Sequence, residues 1–468
     1  MELDSAVFLL FLGCSAGIHA MLPGSRRVLA LLGASLAFYA ASSVPYLVLM
    51  VGLTSLNYAA VLGLSRNSDS RNRTPIFVGT VTVDLIALIL FKYLAWNIGH
   101  ILSICGWPGP GTETWHLAVP LGMSYFTFQM IACVTDAYRA SWQSPGSFVE
   151  FLLFALFFPQ ISSGPIPRAG RLMPQLAAGG FPSPEDRLAG LRMITYGLFK
   201  KYVVANRLNE YVATVFDAPQ ALGTLPVLWA ILFNMLFLYA DFSGYVDIAI
   251  GSARFLGIRL DPNFDRPLTS TSVTELWRRW HMTLSFWLRD YLYMPMFIRI
   301  RALGRAGAVT ALLVTFCICG IWHGFTLNFF LFGLTQGMAM SVEFLTKSWR
   351  MKLFKDVPKR LVASAGNIYT LGFFSLCQVL FRTSNLQQTS AILSRLVPVR
   401  LSGFFGTSYT VRPYFTALDF FAIGLWAATA FFFHRTSNRL TPWFVFLCAV
   451  LILLLGHLGT AHFIYAAF

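Results

Sequence analysis

Charge is what this chain has least of. Only 12% of its 468 residues are Asp, Glu, Lys or Arg, about half the share of a soluble domain. No long polar stretch is present from which a soluble domain could be built. Acidic residues are the scarcer sign, 20 against 35 Lys and Arg, for a net charge of +15. In a polar chain that excess would point to nucleic acid. Here the basic residues cluster in short loops between apolar runs, where they mark the cytoplasmic side of a membrane protein, so no nucleic-acid partner is expected. Motifs of familiar soluble chemistry are missing too. The chain has no Gly-Lys-Ser/Thr phosphate loop, no His-Glu-x-x-His and no Gly-x-Ser-x-Gly elbow. Its seven cysteines lie mostly in apolar runs, and Cys317-Ile318-Cys319 lacks the spacing of a zinc site. They read as inert buried thiols, and no metal is expected.

What is present in abundance is apolar. Hydrophobic residues make up 56% of the chain, and mean hydropathy is +0.63. The apolar runs are continuous rather than alternating, which excludes a β-barrel. Helices satisfy their own backbone hydrogen bonds in lipid, so the fold class is an all-α polytopic membrane protein. Segments near 6–22, 28–43, 44–64, 76–96, 117–137, 225–240, 242–258, 307–322, 325–346, 361–381, 416–433 and 441–466 approach the length of a span. Shorter or amphipathic pieces at 148–166, 188–207, 280–298 and 386–398 read as re-entrant, interfacial or buried. With no linker and no repeat, residues 1–468 read as a single domain with its core at 117–346. The first apolar run follows Glu2 and Asp4 without a basic leader and reads as a retained span.

Basic residues orient the chain. Arg26, Arg27, Arg66, Arg71 and Arg73 follow the first and third spans, while the 106–116 loop holds Glu113 and no basic residue. The N-terminus is therefore expected outside and the 65–74 loop in the cytoplasm. Arg299, Arg301 and Arg305, and the run from Lys347 to Arg360, mark two further cytoplasmic loops. The apolar pieces between them must go in and return, with Trp322-His323-Gly324 near the turn. The segment Phe157–Arg168 holds three prolines and a glycine, cannot continue a regular helix, and lies between Arg139 and Arg168. A re-entrant loop lining a cavity fits it, with Gln160, Ser163, Gly164 and Pro165 facing the cavity.

Ionisable groups in so apolar a chain cost roughly 2.5–3.5 kcal/mol each at membrane depth and are rare. Glu275 to Met296 nevertheless carries Arg278, Arg279, His281, Arg289 and Asp290. A second anomaly, Cys319-Gly320-Ile321-Trp322-His323-Gly324, follows. His323 has a plain alternative as a histidine hydrogen-bonded between helices, but Gly320 and Gly324 leave room beside it for a close backbone or a ligand, and imidazole can take and return a proton near neutrality. His281, beside Trp280 and Arg279, could instead anchor an amphipathic helix. Arg278, Arg279 and Arg289 could anchor the interface or bind an anionic ligand. Asp241 and Ser243 interrupt the apolar run around 225–258, and Asp241 and Asp247 could pair with nearby arginines. His19, His100, His116, His434, His457 and His462 sit near span ends or loops.

Seven ordered blocks carry a resemblance. They are Val119–Gln129, Phe158-Pro159-Gln160 through Gly164-Pro165-Ile166, Tyr239-Ala240-Asp241-Phe242-Ser243-Gly244-Tyr245, Asn263-Phe264 with Arg266-Pro267, Trp277-Arg278-Arg279-Trp280-His281, Trp287–Tyr293, and Gly320-Ile321-Trp322-His323-Gly324. In order and spacing they resemble the membrane-bound O-acyltransferase family, in the bacterial branch that acetylates alginate and moves D-alanine onto teichoic acid. The resemblance implies a ring of tilted transmembrane helices with re-entrant segments around a central tunnel, with His323 as the essential histidine and His281 as the second of this branch. After Tyr293 the alginate-type pattern usually continues with a glycine pair, whereas this chain reads Met294-Pro295-Met296. His281–Trp287 leans towards the D-alanyl type.

The expected function is acyl transfer, acetyl before D-alanyl, from a cytoplasmic thioester donor to an acceptor hydroxyl outside. The donor would be acetyl-CoA or a phosphopantetheine-bearing acyl carrier protein, with no tightly bound cofactor. The acceptor would be an exported polysaccharide or a partner protein, with an extracytoplasmic acyltransferase beside it. His323 would act as base and His281 would orient the donor or assist proton transfer, with Arg278, Arg279 and Arg289 at the donor's mouth and Trp322, Asp241 and Ser243 lining the cavity. A bacterial inner membrane is the expected site. A non-catalytic glycan or lipid transporter is the rival, disfavoured because the ionisable groups concentrate at two motifs.

Overall fold

A computed structural model describes residues 2–66, 70–94, 119–142, 144–219, 223–397, 417–432 and 441–456. The 106–116 loop, Cys105, His100, His116, His434, His457 and His462 lie outside them. Every regular element among the described residues is helical. Among the described residues, five helices are long and apolar enough to cross a membrane: Val44–Arg66, Asn72–Tyr93, Thr224–Phe255, Arg301–His323 and Leu327–Leu353.

Chain contacts group the described residues into two compact units, one of residues up to 194 with 245–261, the other of residues 195–244 with those from 262 onward. The first unit contains α1 (Ala6–Met21), α2 (Ser25–Ala40), α3 (Val44–Arg66), α4 (Ser70–Ile89), α5 (Met123–Tyr138), α6 (Phe148–Leu156) and α7 (Ala169–Ala177), with most of α8 (Pro184–Phe199). Two of these helices are only nine residues long, too short to span. A capping box between Ser147 and Glu150 starts α6. The proline-rich segment after it is buried and non-helical, and α6 and α7 pack against each other.

The second unit holds α9 (Asn206–Asp217), residues to 244 of α10 (Thr224–Phe255), α11 (Val273–Arg279), α12 (Met282–Trp287), α13 (Met294–Arg299), α14 (Gly304–His323), α15 (Leu327–Leu353), α16 (Lys359–Arg382), α17 (Leu386–Leu393), α18 (Ala417–Phe432) and α19 (Pro442–Leu455). Two widened π-helical turns, Lys200–Ala205 and Leu288–Tyr293, interrupt its helical runs.

The apolar segments 225–240 and 242–258 are not two spans. They form a single 32-residue helix, α10, about 48 Å long. Asp241 and Ser243 lie inside it, each facing a lysine: Lys201 Nζ is 2.6 Å from Asp241 Oδ1, and Lys200 Nζ donates to Ser243 Oγ at 3.1 Å.

Candidate active site

The second unit contains both expected histidines. His323 is the last residue of α14. Gly324 is extended, at φ −174°, and ends the helix. Thr326 caps α15 three residues on, its Oγ1 accepting from Phe329 N. His323 therefore lies at the turn of a helical hairpin, as the loop charges imply. Its ring is buried among aromatic rings, with centroids at 4.5 Å for Trp322, 4.9 Å for Phe381 and 6.3 Å for Phe329.

The glycines beside His323 have a different use from the open space the sequence suggests. A Cβ on Gly320 would lie 2.2 Å from Phe329 O, and one on Gly324 would lie 2.5 Å from the Phe329 ring. On the facing helix, a Cβ on Gly333 would lie 2.1 Å from Phe316 O. These glycines let α14 and α15 cross with their backbones nearly touching, the small-residue packing typical of membrane helices. The space is filled by α15.

That same helix carries the other motif. Glu343 of α15 accepts from Val273 N at 2.7 Å, Thr274 N at 2.9 Å and Thr274 Oγ1 at 2.7 Å. A carboxylate thus takes up the unsatisfied amides that open α11, a favourable match of charge to helix end. One turn into α11, Trp277 Nε1 donates to Gln336 Oε1 at 3.1 Å. α15 is therefore the common scaffold: α14 crosses it closely, and α11 is hydrogen-bonded to it at two points.

α11 ends at Arg279, and His281 begins the next short helix in a left-handed conformation, φ 43° and ψ 53°, strained for a residue with a Cβ. Its side chain is buried. Asn263 Oδ1 is 3.2 Å from His281 Nδ1, and the Phe242 ring meets the imidazole edge-on at 4.8 Å. Burial pushes the His281 pKa down to about 3, so the ring is neutral at physiological pH. Trp280 packs among Tyr239, Phe264 and Phe374.

The three arginines differ from one another. Arg279 Nη2 pairs with Glu275 at 2.7 Å, one helical turn back, and Arg289 Nε pairs with its neighbour Asp290 at 2.7 Å. Arg278 is exposed and makes no ion pair among the described residues. Asp241, Ser243 and Trp322 are buried in the second unit. Gln160, Ser163, Gly164 and Pro165 are buried in the first. There Gln160 Nε2 donates to Gln129 Oε1 at 3.2 Å, and Ser163 Oγ donates to Ser162 O at 2.7 Å. Gly164 folds back on Gln160, where a Cβ would lie 2.6 Å from its Cα.

Sequence reasoning missed Lys200, Lys201, Gln336 and Glu343 as parts of this architecture, and it singled out Asn263 only within a block of the family resemblance, with no role of its own. The lysines left a signal, being paired charges inside an apolar run, as Arg278 and Arg279 are. Glu343 and Gln336 left none, because their partners lie some 60 or 70 residues away in the chain.

The sequence model of the membrane-bound O-acyltransferase family matches residues 75–384. The chain belongs to this family. Both histidines and the scaffold helix α15 fall within the match. The peptidoglycan O-acetyltransferase of Helicobacter pylori is 32% identical over 391 residues, covering 78% of this chain and 72% of that protein. A probable alginate O-acetylase, AlgI, of Pseudomonas aeruginosa is 31% identical, covering 83% and 73%. The teichoic acid D-alanyltransferase of Bacillus subtilis is 29% identical, covering 60% of this chain and 71% of that protein. Family membership makes the chain an acyltransferase, and the five apolar helices make it a membrane protein. The transporter reading is set aside.

Proposed function

We propose that this chain transfers an acetyl group from a cytoplasmic thioester donor to a hydroxyl of an envelope polysaccharide, or of a partner protein, beyond a bacterial inner membrane. The observation that carries the choice of acetyl is coverage. The O-acetylating relatives align with 78% and 83% of this chain, the D-alanyl relative with 60%. In the proposed reaction, the acceptor oxygen attacks the thioester carbonyl carbon while His323 removes the hydroxyl proton. The tetrahedral intermediate collapses with cleavage of the C–S bond, and the proton returns to the departing sulfur. His281, neutral and buried, orients a reactant by hydrogen bonding. Arg278 meets the phosphate of a coenzyme or phosphopantetheine arm, since it is the arginine of the three without a carboxylate partner among the described residues.

D-alanyl transfer from a carrier protein is the second reading, favoured by the run His281–Trp287. The experiment supplies purified protein in nanodiscs with radiolabelled acetyl-CoA or with D-alanyl carrier protein, and follows label into polysaccharide or partner. Label moving from acetyl-CoA supports the first reading. Label moving only from the carrier supports the second.

A further inference from the structure

Asn263 receives Thr283 N at 3.0 Å and Thr283 Oγ1 at 2.8 Å on its side-chain oxygen, while its backbone carbonyl accepts from Met282 N at 2.8 Å. A backbone amide can only donate. The atom facing Thr283 N must therefore be the carboxamide oxygen, and the orientation of the Asn263 amide follows from geometry. That same oxygen lies 3.2 Å from His281 Nδ1. For the contact to be a hydrogen bond, Nδ1 must carry the proton, which leaves the lone pair of the neutral ring on Nε2.

We propose that Asn263 is the positioning residue of His281, holding it in the Nδ1–H tautomer so that Nε2 accepts a hydrogen bond from a reactant. This rests on the reading of His281 as a site residue of the acyl transfer. The identity of the side chain bears on the role. An aspartate would make the same three contacts with Thr283 and His281. It would also spare the buried Asn263 Nδ2, which has no hydrogen-bond partner among the described residues. What an aspartate adds is a negative charge that favours imidazolium. An asparagine fixes the tautomer and leaves the ring uncharged, in keeping with the low pKa that burial imposes. The arrangement assigns the two histidines different work: His281 accepts a hydrogen bond without being protonated, and His323 carries the proton. The left-handed backbone at His281 is held by the same residue, through Met282 N and Thr283 N.

The test uses full-length protein in nanodiscs with ¹⁵N-labelled histidine rings. His281→Gln assigns the His281 resonances by their loss. The expected spectrum shows a protonated Nδ1 and an unprotonated Nε2 at His281 from pH 6 to 8, and Asn263→Ala abolishes that preference. In turnover, Asn263→Ala lowers kcat about 10–100-fold, the scale of losing an outer partner that holds a histidine tautomer elsewhere, with donor KM little changed. Asn263→Asp raises the His281 pKa, so its activity falls off at a higher pH on the acid side than that of the wild type and recovers as the pH rises and the ring loses its proton. A wild-type spectrum with the proton on Nε2, or an unchanged tautomer in Asn263→Ala, overturns the inference. Full activity of His281→Gln removes His281 from the reaction. The spectrum is independent of turnover, so the two failures are distinguishable.

Discussion

Lys201 Nζ lies 2.6 Å from Asp241 Oδ1, with both side chains at most 5% exposed. The pair joins the π-helical turn after α8 to the middle of α10, where the carboxylate would otherwise be an isolated charge in an apolar helix. Removing one partner of such a buried pair is expected to cost roughly 3–5 kcal/mol. Lys201→Met should therefore lower the thermal midpoint sharply, and adding Asp241→Leu should recover much of the loss. Equal destabilisation by the single and double variants would show that the pair holds nothing together.

His323→Ala should leave a folded protein with turnover reduced about 10²–10⁴-fold, the range for a lost general base. The fold should survive because α14 is held by the glycine crossing with α15 and not by the imidazole. Gel filtration and the thermal midpoint report folding, and labelled acyl transfer reports turnover. Near-normal turnover would take His323 out of the mechanism.

Arg278 and Arg279 are neighbours with opposite expected phenotypes. Arg279 is engaged by Glu275, so Arg279→Ala should cost up to about 1 kcal/mol of stability and leave donor affinity unchanged. Arg278→Ala should leave stability unchanged and weaken donor binding about 10-fold or more, as loss of a charge-assisted hydrogen bond would. Titration with acetyl-CoA or with acyl carrier protein separates them. Unchanged donor affinity in Arg278→Ala would move the donor entrance elsewhere.

The segment from α6 to α7 tests the re-entrant reading. Both helices are too short to cross, and both Ala140 and Gly170 are exposed. In a background without native cysteines, Ala140→Cys and Gly170→Cys should react with an impermeant thiol reagent from the same side of the membrane. Reaction from opposite sides would make the segment a full crossing.

The amino-acid sequence by itself determined the class, the approximate places of four of the five long apolar helices among the described residues and the position of His323 at a hairpin turn. These follow from local quantities: the length of apolar runs, the location of basic loops, and two ionisable motifs too costly to be incidental. Tertiary structure decided the rest. It made one helix of 225–240 and 242–258, in which Lys200 and Lys201 face the polar residues that looked like a break. It closed the space beside Gly320 and Gly324 with α15. It also separated Arg278 from its paired neighbour, and it set Asn263 against His281. Each of these depends on which side chain meets a buried polar atom or a bare backbone across the fold. The hydropathy pattern along the chain carries no record of that pairing.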